Sequence, residues 1–86
     1  MAYAADAFAV AEQVAEWPDD ARARFDEVLA VLELTPWNSR PVNRSNPSGQ
    51  FRFLSFDTSR GSGLVYFVIV EHALEVTVTD AVWLGY

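Results

Sequence analysis

The chain has no cysteine and no lysine, and its 86 residues include one histidine and one methionine. Without cysteine there is no disulfide, no thiolate nucleophile and no zinc–sulfur site. That composition fits a reducing compartment, and the expected location is cytoplasmic. No apolar run approaches the ~18 residues that a membrane helix needs. The opening "MAYAADAFAVAEQVAEW" has no basic start, and Asp6, Glu12 and Glu16 interrupt it, so a signal peptide is not expected. The helical carboxylates, among them Asp26, Glu27 and Glu33, show no metal-ligand spacing with the lone His72, so neither a metal nor a cofactor is expected.

What is present is a folded domain. Apolar residues make up 51% and aromatics 14%, which argues against disorder and for a single domain over residues 1–86. Ala2–Ala5 reads as a short strand. Asp6 suits a helix cap, with Ala7, Val10, Ala11, Val14 and Trp17 on one helical face up to Glu16, the end being set by Pro18. Pro18 then starts a second helix with Asp19 and Asp20 in its first turn. Its stripe is Ala21, Phe25, Val28, Leu29 and Leu32, its expected ion pair is Arg22–Asp26, and Thr35-Pro36 stops it.

Beyond the helices the period becomes two. "QFRFLSF" is a strand, "DTSRGSG" a turn, and "LVYFVIV" a continuous apolar run expected at the sheet centre and covered on both sides. "EVTVTDAVW" alternates Val76, Val78 and Val82 against Glu75, Thr77, Thr79 and Ala81. The expected fold is therefore α+β, a two-layer sandwich of order β-α-α-β-β-β, its antiparallel meander covered on one face by a helix hairpin.

Between helix and strand lies "PWNSRPVNRSNPSGQ", with three prolines, two arginines and no acid. An irregular connection of this length is uncommon inside a small domain and is usually functional or disordered. Residues 36–63 carry Arg40, Arg44, Arg52 and Arg60 against Asp57 alone, inside a chain of net charge −6. The expectation is an arginine rim on the uncovered sheet face, suited to an anionic partner; the alternative is a mobile loop whose arginines balance nearby acids.

The order of elements, together with "FRFLSF…GLVYFVIVEHALEVTVTDAVWLG", resembles the RelE/ParE superfamily of bacterial toxins from toxin–antitoxin pairs. The resemblance runs over nearly the whole chain, including "LELTPWNSRPVN" at the helix-to-strand connection. It implies either a ribosome-dependent messenger-RNA endonuclease or a non-catalytic toxin-fold protein that binds an antitoxin or a gyrase-type target. In the nucleases a basic cluster on the sheet holds the scissile phosphate. Arg52 matches one such position, Leu54 stands where several members have a basic residue, and Gly63 replaces the arginine before "LVY", with Arg60 three residues earlier. The family's C-terminal basic and tyrosine groups have no counterpart up to Tyr86.

The resemblance thus makes Arg52 and Arg60 the candidate catalytic pair, gripping a phosphate as arginine does bidentately. Arg40, Arg44 and Tyr86 become candidates for binding RNA or a partner. The plainer alternative makes Arg52 and Arg60 solvated strand-edge residues and Tyr86 a frayed end. Gly61-Ser62-Gly63 reads as a hairpin turn rather than an anion nest. His72 is placed in a turn at the end of its strand opposite the arginine loop, and Trp37 and Trp83 are expected to close the ends of the core.

Overall fold

The computed structural model describes residues 2–85. Five strands, β1 (Ala4–Asp6), β2 (Arg40–Pro41), β3 (Phe51–Thr58), β4 (Gly61–Val70) and β5 (Glu75–Gly85), form one sheet in the order β1-β5-β4-β3-β2. The three long strands are the expected antiparallel meander with β4 at the centre, whereas β1 joins β5 in parallel. Helices α1 (Ala11–Ala15) and α2 (Asp19–Leu34) lie on one face. The two layers are those of the expected α+β sandwich.

Local chemistry explains the helical boundaries. The Asp6 carboxylate accepts a hydrogen bond from the Phe8 amide at 2.9 Å, opening a 3-10 turn over Phe8–Val10 that runs into α1. Pro18 breaks the chain and its carbonyl accepts the Arg22 amide, the first bond of α2. Asp19 and Asp20 lie in the first turn, where the helix dipole favours anions. Thr35, extended before Pro36, ends the helix. On α2, Ala21, Phe25 and Leu32 are buried and Val28 and Leu29 half-buried, as the stripe requires. The ion pairs differ from the expected one. Arg22 pairs with Asp19 and Arg24 with Glu27, both at i,i+3, so the Arg22–Asp26 pair does not form.

The core lies between the helices and the inward residues of β4 and β5. Val65, Phe67, Ile69, Val76 and Val78 are fully buried against Val10, Val14, Phe25 and Leu32. Two departures from the expected pattern follow. First, β4 is not covered on both sides: Leu64, Tyr66, Val68 and Val70, half-buried, face away from the helices. Second, β5 changes face midway. A bulge opposite Tyr66 and Phe67 leaves Thr79 as the extra residue, so that Val76 and Val78 point inward but so do Ala81 and Trp83, while Val82 turns outward.

At the sheet end by Gly63, Trp17, Phe56 and Trp83 pack together, with ring centroids 6.0–6.4 Å apart. Trp83 thus closes one end of the core, as expected. Phe56 lies across the backbone of its cross-strand partner Gly63, and any side chain at 63 would meet the Phe56 ring. Gly63→Ala must displace that ring from the aromatic cluster, at a cost of ~1–3 kcal/mol. Chemical denaturation should show the loss with the folded-state spectrum of the tryptophans altered; an unchanged midpoint would contradict this packing.

Candidate functional site

The strand pairing decides which side chains share the uncovered face. Phe51 faces Val68, Phe53 faces Tyr66, Ser55 faces Leu64, and on the next strand Val82 faces Leu64 and Asp80 faces Tyr66. The Tyr66 ring lies between two phenylalanines, 6.4 Å from Phe51 and 5.9 Å from Phe53. Phe51 is 45% and Leu84 57% exposed. This face is therefore aromatic and aliphatic along β3 and β4, with Asp57, Glu75 and Asp80 toward its margins, and its strands contribute no cation to it except at the β2 edge.

At that edge Arg40 is the cross-strand partner of Phe53, and both Arg40 and Arg44 are exposed. Arg40, Pro41, Val42, Arg44 and Phe53 line a depression of about 370 Å³. On the other side of Val42 a second depression, about 340 Å³, is bounded by Asn43, Asn46, Gln50, Phe51 and Val68. Among the described residues, no carboxylate lies within salt-bridge distance of Arg40 or Arg44. Of the four arginines expected to form a rim, Arg40 and Arg44 lie at this edge of the uncovered face.

Arg52 is elsewhere. It pairs with Phe67, on the helix-facing side, and is 5% exposed. Its Nε donates to the Ser39 hydroxyl at 3.0 Å, one terminal nitrogen to the Ser39 carbonyl at 2.6 Å, and the other to the Pro47 and Gly49 carbonyls at 3.1 and 3.0 Å. The Trp37 ring lies over the guanidinium, 5.2 Å from its centroid. Ser39 in turn donates to the Pro36 carbonyl at 2.6 Å. A planar fork with five donors suits this set of divergent acceptors, and the neutral ring face and carbonyl dipoles offset part of the desolvation of the charge.

Arg60 lies in the β3–β4 turn at the opposite end of the sheet from the loop. Its Nε approaches Asp20 of α2 at 3.9 Å, an exposed pair of little energetic weight. The structure therefore brings Arg40 and Arg44 together but not Arg52 and Arg60. Tyr86 falls outside the described residues. The end assigned to His72 needs correction: the β3–β4 register sets Phe51 beside Val68, so the turn Glu71–Ala73 adjoins residues 37–50 and is not remote from them. His72 is exposed there.

Trp37 links that turn to the loop. Its Nε1 donates to a Glu71 carboxylate oxygen at 2.9 Å, and the Tyr3 hydroxyl donates to both oxygens at 2.9 and 2.7 Å. Trp37 is 37% exposed and lies on Arg52 and Glu71 rather than closing the core. Donation by Trp37 and then by Tyr3 holds the Glu71 carboxyl below the usual carboxylate range. The Tyr3 phenol is raised, mainly by its bond to Glu71 and then by partial desolvation.

The aromatic triad was the feature missed by sequence reading. Its signal was present in the alternation: Phe51 and Phe53 share one face of β3, and Tyr66 and Val68 one face of β4, but only the register shows that these are the same face and that the helices leave it open.

No family model matches the chain, and no curated protein matches it in sequence. Among solved structures it is similar to the E. coli toxin RelE, in a structure of a double arginine-to-alanine mutant in the free state. The TM-score is 0.74 at 14% identity, covering 94% of this chain and 82% of that one. The chain thus has a RelE-like fold. Among the described residues no group of His, Asp and Glu is placed to hold a metal ion, and no helix is long and apolar enough to cross a membrane.

Two predictions follow from these contacts. Arg52→Lys keeps the charge but loses the fork, and should cost ~2–4 kcal/mol while making residues 42–50 the first site of limited proteolysis. Because the Glu71 carboxyl is lowered in the folded state, its contribution is present above the unfolded carboxylate value and lost as pH falls through the folded one. The raised Tyr3 phenol acts oppositely, contributing below its unfolded value and losing that contribution as pH rises through the folded one. Melting temperature should therefore fall more steeply from about pH 5 to pH 3 in the native chain than in a Tyr3→Phe/Trp37→Phe variant. Parallel curves would contradict the assignment.

Proposed function

We propose that this chain is a toxin-fold protein that works by binding another protein across the open face of its sheet, rather than by cutting RNA. The observation that carries the reading is the character of that face: Phe51, Phe53, Tyr66, Leu64 and Val82 form an apolar surface bordered by Arg40 and Arg44 at the β2 edge and by Asp80 on the β5 side. Nuclease chemistry needs a group to take the 2′-hydroxyl proton and cations at the phosphate. The burial of Arg52, with its donors directed at the Ser39–Gly49 segment, supports a structural role for that residue instead.

A partner that fits is a segment with apolar side chains toward the Phe53–Tyr66 surface and carboxylates toward Arg40 and Arg44. By the logic of the toxin fold this is an acidic antitoxin segment in a bacterial cytoplasm, or the equivalent surface of a gyrase-type target. Anchoring aromatics with an arginine rim are what such protein interfaces use.

The second reading, a ribosome-dependent endonuclease, draws on the same Arg40, Arg44, Phe53 and Tyr66, because arginines beside stacked rings also suit single-stranded RNA. One experiment separates the two. The native chain and a Phe53→Ser/Arg40→Ser/Arg44→Ser variant are tested for message cleavage on translating ribosomes and for binding to an acidic peptide with alternating apolar side chains, as an antitoxin segment would present. The proposal expects no cleavage by either protein. It also expects binding by the native chain that the variant loses by at least tenfold, with an unchanged melt. Cleavage by the native chain would overturn the proposal in favour of the nuclease.

A further inference from the structure

The net charge of this protein belongs to one layer. Between Asp6 and Glu33 there are eight carboxylates and two arginines, whereas the loop and the strands that follow carry four of each sign. The segment that ends β1 and builds the helical layer therefore carries the whole surplus of −6, and from outside it Arg60 approaches Asp20 at 3.9 Å. Both helical arginines are engaged by helical acids, Arg22 by Asp19 and Arg24 by Glu27. Whatever meets this layer meets a negative field.

The same layer has an apolar groove. Helix α1 has only five residues, and α2 continues past it, so the two do not close on each other as a full helical hairpin would. Between them lies a groove of about 490 Å³ lined by Ala11, Val14, Ala15 and Phe25, with Asp19, Arg22 and Asp26 also in its wall. Arg22 is held by Asp19, which leaves Asp26 as the carboxylate of this wall without an ion pair among the described residues. Ala11 and Ala15 are exposed, and their small side chains let another backbone come close. One helical turn before Ala11 stands Phe8, 88% exposed. An aromatic this exposed, three residues from the small side chains that line the groove, offers an anchor for a partner.

We infer that the α1–α2 groove is a docking site for a cationic amphipathic helix of a partner protein, its apolar face on Ala11, Ala15 and Phe8 and its arginines or lysines toward Asp26 and the acid-rich helical layer around it. The occupant follows from charge complementarity. A second copy would bring two −6 surfaces together, and an acidic segment suited to the Arg40–Arg44 rim would be repelled here. A helix fits better than a strand because the groove runs between helices rather than along a sheet edge, so recognition rests on side chains at i, i+3 and i+4 spacing. This site is on the opposite layer from the open sheet face and does not depend on the reading given to that face.

The test uses a synthetic probe: a labelled helical peptide with alanine and leucine on one face and arginine on the other. A control of the same composition is scrambled to abolish the apolar face. Binding to the full chain is followed by fluorescence anisotropy, alongside an Ala11→Gln/Ala15→Gln variant that fills the groove at exposed positions, a Phe8→Ser variant, and the open-face variant Arg40→Ser/Arg44→Ser. The inference expects micromolar binding of the amphipathic probe that weakens at least tenfold with the groove-filling and Phe8 variants, weakens with salt, and is unchanged in the open-face variant. The groove-filling variant should melt like the native chain. Equal binding of the scrambled peptide would reduce the effect to unspecific charge and overturn the inference. So would undiminished binding to the filled groove, or self-association of the native chain that Phe8→Ser abolishes.

Discussion

A guanidinium buried between a loop and a sheet is the contact on which the long connection and the edge of the open face depend. Arg52 enters from β3 on the helix-facing side and holds three separate points of the long connection, Ser39, Pro47 and Gly49, while Trp37 lies over it. No carboxylate neutralises it among the described residues; carbonyl dipoles, a hydroxyl and a ring face do. Such a charge is stable only while every acceptor stays in place, so the loop and the arginine hold each other. The consequence reaches the other face, because the anchored segment includes Arg40 and flanks Arg44, the two cations that border the aromatic surface. An apolar patch with a fixed charged rim loses less conformational entropy on binding than a mobile loop would.

Trp37 extends this anchoring to the first strand. Through Glu71 it is joined to Tyr3, whose backbone amide also donates to the Glu33 carbonyl at the end of α2. The N-terminal strand, the end of the long helix, the β4–β5 turn and the loop thus meet around one carboxylate. This explains why a connection of fifteen residues without regular period need not be disordered. It is held by side chains from elements on both sides of it.

What the sequence made legible was what local periodicity controls. The α2 stripe, the arrest at Pro18 and at Thr35-Pro36, the three-strand meander and the central place of β4 all follow from spacing and turn chemistry. Three features do not. The bulge at Thr79 exchanges the faces of Ala81 and Val82 because of a register shift, which alternation alone cannot reveal. The inward turn of Arg52 contradicts the usual exposure of arginine, and its cause is a set of acceptors up to thirteen residues away. The end of the sheet at which His72 lies depends on pairing Phe51 with Val68, not with the far end of β4. At the candidate site, Arg40 and Arg44 were readable from local charge, whereas their aromatic neighbours required the register.

The central claim, that Arg52 is a buried anchor rather than a free cation on the sheet, can be read directly by nuclear magnetic resonance of the arginine side chains. The account predicts that, of the six arginines in the chain, Arg52 alone shows an Nε–H signal protected from exchange with water. That signal should shift when Trp37→Leu removes the ring above it. Six arginine signals that all exchange at the rate of free solvent, or an Arg52 signal indifferent to Trp37, would contradict it.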